Sequence, residues 1–357
     1  MENVQPGTPH ITEQPIPFNA IKDSPNDERL SAAEMGHLWE MYLYNAAAKC
    51  QLQYFTAKTQ DPEIYGVLDF ALQIMNTRLN KLTQIFNTVG FPIPQAFNDE
   101  DVEPNARRLF SDGFMLVYIQ GLVNFELVES LMGSTRAVRT DVKEYYNACI
   151  DETQDLFNRA GETLLRKGLW FKPPNIPVPD RVEYIHQDTF FAGLIGDKRP
   201  MNALEIFHVH TRLQTKMIER ALILGFSQVV QSQKVLAFLS EGKQLVDKQV
   251  EGWSKILQDE DLPLPVTWEH EITDCAESPF TDKLIMFAIL TMMRNSVTML
   301  GISLANCVRA DIVTAFAGTI IALQAYAKDA LDLMISSGWL EKIPQAADRL
   351  EIINQSH

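Results

Sequence analysis

Two Glu-x-x-His pairs are the residues of this sequence whose spacing is best suited to chemistry. Glu34 and His37 lie in "AAEMGHLWE", and Glu205 and His208 lie in "ALEIFHVHT". In di-metal four-helix bundles, two helices each carry a Glu-x-x-His motif and the other two each add a Glu, all pointing inward. The pairs therefore indicate either a metal site or a structural feature that occurs twice.

The chain repeats itself, and the two pairs are part of the repeat. A shift of 171 residues superposes the pairs and lays "FPIP" at 91–94 over "LPLP" at 262–265. A shift of 170 then lays "RTDV" at 139–142 over "RADI" at 309–312. One single-residue adjustment over so long an alignment indicates a duplicated structural unit.

Each copy has four long segments with helical periodicity and no sustained two-residue alternation, which predicts an all-α fold. The predicted helices span 31–57, 62–89, 108–134 and 140–167, then 202–228, 231–258, 279–305 and 310–337. Only the second and third helices of each copy are joined by a long connection, which reaches back along the bundle. We therefore predict two tandem ferritin-like four-helix bundles, each with one long crossover between helices 2 and 3.

The same patterns predict the domain boundaries. We expect an extended N-terminal arm at 1–29, bundle 1 at 30–180, an interdomain strap at 181–200, bundle 2 at 201–345 and a C-terminal tail at 346–357. The arm is polar and Pro-rich and lacks the apolar region of a secretory signal. Phe190, Phe191 and Leu194 favour a packed strap over a solvated tether, because a solvated linker is poor in such residues.

Composition limits the partners. The formal net charge of −15 argues against nucleic acid and anionic membranes, whose binding depends on Lys and Arg. The four scattered cysteines are typical of reduced thiols in the cytoplasm. The apolar run 284–305 carries Arg294 at its centre, which predicts a helix covered by protein and no membrane span.

Longer motifs resemble a known family. They are "FPIPQAFNDEDV", "RLFSD", "GDKRPMNALEI", "DLPLPVTWEHEITD", "SPFTDKL" and "GWLEKIPQAADR". The family is an uncharacterised one from spore-forming bacteria, built of two tandem ferritin-like bundles and often given a spore-coat label. The resemblance covers nearly all of the chain after residue 30, and it implies the fold and an association with the spore coat but no reaction.

The metal hypothesis has seven candidate ligands, and their distribution counts against it. The candidates are Glu34, His37, Glu40, Glu126 and Glu129 in the first copy and Glu205 and His208 in the second. Helices 2 and 4 of the first copy carry no His, and helix 3 of the second has no acid between its ends. First-turn Glu residues favour helix capping. At mid-bundle, Arg78 is expected to pair with carboxylates, Glu40 among them. We therefore expect no metal and no cofactor; if one is present, it is a divalent ion such as iron, manganese or zinc.

Three functions remain open, and no nucleotide-binding or nucleophile motif adds a fourth. The first is a non-enzymatic structural or interaction protein with protein partners or self-association, cytoplasmic or incorporated in the spore coat. The second is a metal-binding oxidoreductase or storage bundle in the first copy. The third is a binder of an apolar small molecule between the helices of one bundle. The sequence does not indicate the oligomeric state.

Overall fold

The computed structural model describes residues 29–185, 198–346 and 349–350, and in these residues the chain forms eight α-helices and no strand. The first half contains α1 (Ala32–Lys58), α2 (Pro62–Thr88), α3 (Asp112–Ser134) and α4 (Thr140–Arg166). The second half contains α5 (Ala203–Val229), α6 (Gln233–Gln258), α7 (Asp282–Asn306) and α8 (Ala310–Ser336). The predicted all-α class and the two sets of four helices are confirmed.

The helices begin and end at the residues that favour their ends. Ser31 caps α1 in a capping box with Glu34, and Asp61 caps α2 ahead of Pro62. Gly168 follows α4 with a φ of 70°, a left-handed conformation that glycine adopts without a Cβ clash. Gly338 follows α8 in the same way, with a φ of 71°. Local sequence therefore determines where these helices start and stop.

The direction of α3 shows that each half contains the predicted long crossover. The carboxylate of Asp112 at the start of α3 accepts hydrogen bonds from the backbone N–H of Gln60 (3.2 Å) and Asp61 (2.8 Å), just before α2. Asp282 at the start of α7 accepts the equivalent bonds before α6, with Ser232 N–H at 2.7 Å. Because the paired helices start side by side, they run parallel, and 89–111 and 259–281 cross back along the bundles. The ferritin-like assignment itself stays a prediction.

The two crossovers pair with each other at the centre of the molecule. Two isolated antiparallel bridges join them, Val102 with Phe280 and Phe110 with Ile272. Four backbone hydrogen bonds flank these bridges, Glu103 N to Pro279 O, Thr273 N to Leu109 O, Ser111 N to Glu271 O and Thr281 N to Asp101 O. If 170 is added to each residue number of the first half and subtracted from each of the second half, the first bond becomes the second and the third becomes the fourth. The halves are thus related by an approximate two-fold axis through the crossovers.

The larger of two hydrophobic clusters continues across this junction, and the smaller one lies within the first half. Buried residues of both halves belong to one cluster, and the Phe226 ring lies 6.1 Å from that of Phe110 and 6.2 Å from that of Phe280. A Cβ at Gly225 would lie 2.5 Å from the Phe110 ring, so a glycine is needed at this close approach. The halves therefore share their apolar interior.

Within the described residues, three helices are long and apolar enough, by length and composition, to cross a membrane. They are α3, α7 and α8, and 67%, 39% and 28% of their most apolar windows are buried. The expectation that α7 is covered by protein on most sides is therefore only partly met: its first half is buried, but Arg294 is 42% exposed. That no segment spans a membrane stays a prediction.

Several predicted segments fall mostly outside the described residues. They are the N-terminal arm, the strap between 186 and 197 with Phe190, Phe191 and Leu194, and most of the C-terminal tail. The domain boundaries that depend on them stay predictions.

Candidate functional site

The centre of the first bundle is occupied by a buried arginine. Arg78 on α2 is 2% exposed, and its guanidinium is ion-paired with Glu126 of α3 and with Glu152 of α4, the latter at 2.8 Å. Its remaining bonds go to the Cys149 carbonyl (2.9 Å) and the Thr153 hydroxyl (2.8 Å). Arg78 of α2 thus neutralises the two carboxylates that α3 and α4 direct to the same level of the bundle.

The centre of the second bundle has a buried ion pair built from different helices. Lys216 and Glu219, both on α5, lie 2.6 Å apart with side chains 1% and 4% exposed. The hydroxyl of Ser296 on α7 accepts from Lys216 at 2.9 Å and donates to Glu219 at 2.6 Å. Ser296 is the counterpart of Glu126 in the repeat, so the cation and its carboxylate have moved to one helix.

Glu34 is a capping group that ties two helices together. Its carboxylate accepts from the backbone N–H of Ser31 at 2.8 Å and from those of Val138 and Arg139, before α4, at 2.9 Å each. Burial raises the pKa of this carboxyl, but these backbone bonds, that of Arg139 foremost, outweigh it and leave the pKa below the usual 4.5.

Glu205 is the equivalent capping group in the second half, where its carboxylate joins α5 to α8. It accepts from Asn202 N–H and Arg309 N–H, each at 3.0 Å, and pairs with Arg199 at 2.7 Å. Burial raises its pKa, whereas the Arg199 guanidinium and the backbone donors lower it, and the net shift is downward. His208 does not join this group; its Nδ1 lies 3.1 Å from the Ser303 hydroxyl. Burial lowers the His208 pKa, so the ring is neutral at pH 7.

The other four candidates, His37, Glu40, Glu126 and Glu129, line one cavity of about 610 Å³ between the two halves. Its walls are α1 and α3 of the first half, α7 and Leu331 of α8 in the second half, and the segment 340–345 that follows α8. The sequence analysis listed these four residues with Glu34 as candidate ligands within the first bundle, whereas the structure places the four at a cavity shared by both halves.

Arg294 of α7 is a cation of this cavity that pairs with two of its carboxylates. Its Nη1 lies 2.9 Å from Glu40 Oε2, and its Nη2 lies 2.9 Å from Glu129 Oε2. The guanidinium carbon is 5.7 Å from the centre of the Phe125 ring. The expected pairing of Glu40 with Arg78 is therefore wrong, because α1 turns Glu40 towards the other half.

The segment after α8 closes the cavity against the first crossover. The carboxylate of Glu341 accepts from Gln95 N–H at 3.0 Å and from Ala96 N–H at 2.5 Å. Ala96 has a φ of 49°, in the left-handed region that non-glycine residues seldom adopt. The bonds to Glu341 hold this conformation in place.

Two arrangements that sequence analysis missed define these sites. Lys216 and Glu219 have the spacing i, i+3 on a largely apolar helix, and that local pattern was a usable signal. The contact of Arg294 with Glu40 and Glu129 joins residues of different halves and has no local signal. Among the described residues, no three His, Cys, Asp or Glu side chains are grouped so as to hold a metal ion.

Comparisons with known proteins match both halves to one family. A family model described as "Protein of unknown function (DUF3231)" matches residues 20–182 and again residues 189–352. Among solved structures, the chain is similar to a "putative spore coat protein" from Bacillus halodurans C-125, with 22% identity and a TM-score of 0.40. That match covers 43% of this chain and 100% of the other. No curated protein matches the chain in sequence.

Proposed function

This chain belongs to the DUF3231 family through both of its halves, and we propose that it is a non-enzymatic structural or interaction protein. In this proposal both bundles descend from a ferritin-like metal bundle, and internal ion pairs have replaced the metals. The bundles then serve as a rigid scaffold that presents its outer surface to partners.

The observation that carries the proposal is the environment of Arg78. Its guanidinium makes ion pairs with Glu126 and Glu152 and bonds to two further acceptors, and only 2% of the side chain is exposed. A metal ion bound by Glu126 would have to displace this guanidinium and leave a buried cation without its partner, which costs several kcal/mol. In the second bundle, a metal ion bound by Glu219 would likewise have to displace Lys216.

Exposed apolar side chains on α8 support the interaction part of the proposal. Ile321 is 72% exposed and Ile335 is 61% exposed. Only 28% of the most apolar window of α8 is buried. An apolar helix face left in water is typical of a surface that meets a protein partner. Self-association of the chain and binding of another protein are both consistent with this surface.

Metal titration tests the proposal against a metal-binding oxidoreductase or storage protein. Fe²⁺ (without oxygen), Mn²⁺ and Zn²⁺ are titrated into the full chain by calorimetry, and we expect no saturable stoichiometric site. Stoichiometric binding that disappears when Glu126→Gln and His37→Ala are combined would overturn the proposal. A matched Lys328→Met variant, at an exposed ion pair on α8 (Lys328 73% exposed), controls for nonspecific effects.

Association with the spore coat is a separate proposal that rests on the sequence resemblance alone. The protein would be made in the cytoplasm and incorporated into the coat through protein contacts. Immunodetection in fractionated spores tests it, with the protein expected in the coat extract. Recovery of all the protein from the soluble fraction of the cell would contradict it.

A further inference from the structure

The cavity between the halves has the size and lining of a ligand site. Its volume of about 610 Å³ falls in the range of small-molecule pockets, roughly 300–1,000 Å³. Apolar side chains from both halves line it, with the rings of Tyr44, Phe125 and Phe287 among them. Charged groups lie in the same cavity, so its lining suits an amphipathic molecule.

The charges of the lining favour a cation. Of the four carboxylates in the lining, Glu126 is already neutralised by Arg78. The other three, Glu40, Glu129 and Glu341, face two cations, Arg294 and Lys342. The side chain of Glu129 is only 10% exposed, so solvent screens its charge weakly. Lys342, in contrast, is exposed and well screened.

Two carboxylate oxygens of the cavity are left without a hydrogen-bond donor. Arg294 binds Oε2 of Glu40 and Oε2 of Glu129, and in the described part of the chain the two Oε1 atoms have no partner. The Nδ1 atom of His37 is buried and also lacks a partner there. An ammonium group supplies three donors and a positive charge, and it is attracted to aromatic faces such as those of Tyr44 and Phe125.

We propose that the cavity between the halves binds one small molecule with an apolar body and a single ammonium group. The ammonium group lies at the free oxygens of Glu40 and Glu129, and the apolar body packs against Phe287 and Leu290 of α7. This site goes beyond the scaffold role, and its occupancy is independent of whether the bundle centres bind metal.

The repeat predicts one site per chain. The counterparts of Glu40, Glu129 and Arg294 in the other copies are Thr211, Met299 and Asn124. The counterpart of Glu341 is Phe171, whose ring packs 6.3 Å from that of Trp268. The carboxylates of the cavity therefore occur on only one of the two sides that the approximate two-fold axis relates.

Three probes with the same chain and different heads test the proposal. Octylammonium, octanol and octanoate are titrated into the full chain by calorimetry, below the concentrations at which they form micelles. We expect one octylammonium per chain, bound at least about tenfold more tightly than octanoate, because the carboxylates repel an anion. Failure of octylammonium to bind, or tighter binding of octanoate, would overturn the proposal.

Variants locate the site. Glu129→Gln keeps the size of the side chain and removes its charge, so it should weaken the binding of octylammonium about tenfold and leave the affinity for octanol unchanged.

Thr291→Trp fills the cavity and should abolish binding of all probes, whereas Thr298→Trp, on α7 outside the cavity, should not. Circular dichroism checks folding; if Thr291→Trp does not fold, Glu129→Gln decides. Unchanged octylammonium affinity in Glu129→Gln would contradict the site.

Discussion

At the residue scale, Arg78 determines the character of the first bundle's centre. Its guanidinium is withdrawn from water, and four hydrogen bonds join it to groups of α3 and α4. A buried charge is tolerated only when its partners compensate for lost hydration. The pair with Glu126 joins α2 to α3, and the desolvation of both charges offsets much of their attraction.

Replacing Arg78 should destabilise the protein strongly. Arg78→Met leaves Glu126 buried without a cation, and we expect the free energy of unfolding to fall by about 3–5 kcal/mol. Urea denaturation followed by circular dichroism measures the change. The combined Arg78→Met and Glu126→Leu variant should recover part of the loss, because it also removes the unpaired carboxylate.

A matched change on the surface provides the control for that measurement. Lys328 and Asp332 form an exposed ion pair on α8, with side chains 73% and 60% exposed. Lys328→Met should therefore alter the free energy of unfolding by less than about 1 kcal/mol. A similarly small effect of Arg78→Met would contradict the buried ion pair.

At the scale of elements, two glutamates join the start of one helix to the start of another. Glu34 links α1 to α4 through the N–H groups of Val138 and Arg139, and Glu205 links α5 to α8 through that of Arg309. The donors at a helix start have no partner within their own helix. A carboxylate that satisfies two starts at once fixes the spacing of the helices.

These links should make stability depend on pH in acid. The pKa of Glu34 and that of Glu205 are lower in the folded chain than the usual 4.5. The two ionised carboxylates therefore add to the free energy of unfolding above about pH 4.5, and this added stability is lost as pH falls through their folded pKa values. Glu34→Gln should lower the free energy of unfolding by about 1–2 kcal/mol at pH 7. The difference from the wild type should shrink below pH 4.5. Urea denaturation at several pH values measures it, and a difference that grows in acid would contradict the role of the carboxylate.

The helices could be predicted from sequence because their signals are local. Ser31, Pro62 and Gly168 act within one turn of the helix ends that they determine. The long crossover also followed from chain length, since helices joined by few residues must be antiparallel. The partner of Glu40 could not be predicted, because it lies on a helix some 250 residues away in sequence.

At the scale of the whole molecule, the crossovers make the two halves one unit. Their backbone bonds repeat about an approximate two-fold axis, and one apolar core passes between the halves. Arg294 and Glu341 add contacts at one side, where each reaches from the second half to the first. The prediction of two consecutive bundles lacked this junction, because it depends on how the halves dock. One of the open functions placed an apolar ligand between the helices of one bundle, whereas the cavity of about 610 Å³ lies between the halves.

The shared core should make the halves unfold together. We expect core amides of α2 and of α6 to lose protection from hydrogen exchange at the same urea concentration, since exposing one half also uncovers the apolar surface of the other. Exchange measured by mass spectrometry across a urea series tests this. Arg294→Met should lower the protection of both helices in parallel, and protection of one half that outlasts the other would contradict the account.

Anomalous diffraction is the most direct test of the central claim that the chain's own cations occupy the bundle centres. Crystals grown with Mn²⁺ or Zn²⁺ are measured at the absorption edge of the metal. We predict no anomalous peak within bonding distance of Glu126 or Glu219 and intact contacts of Arg78 and Lys216 with these carboxylates. A peak bridged by Glu126 and by carboxylates of other helices, with Arg78 displaced, would contradict it.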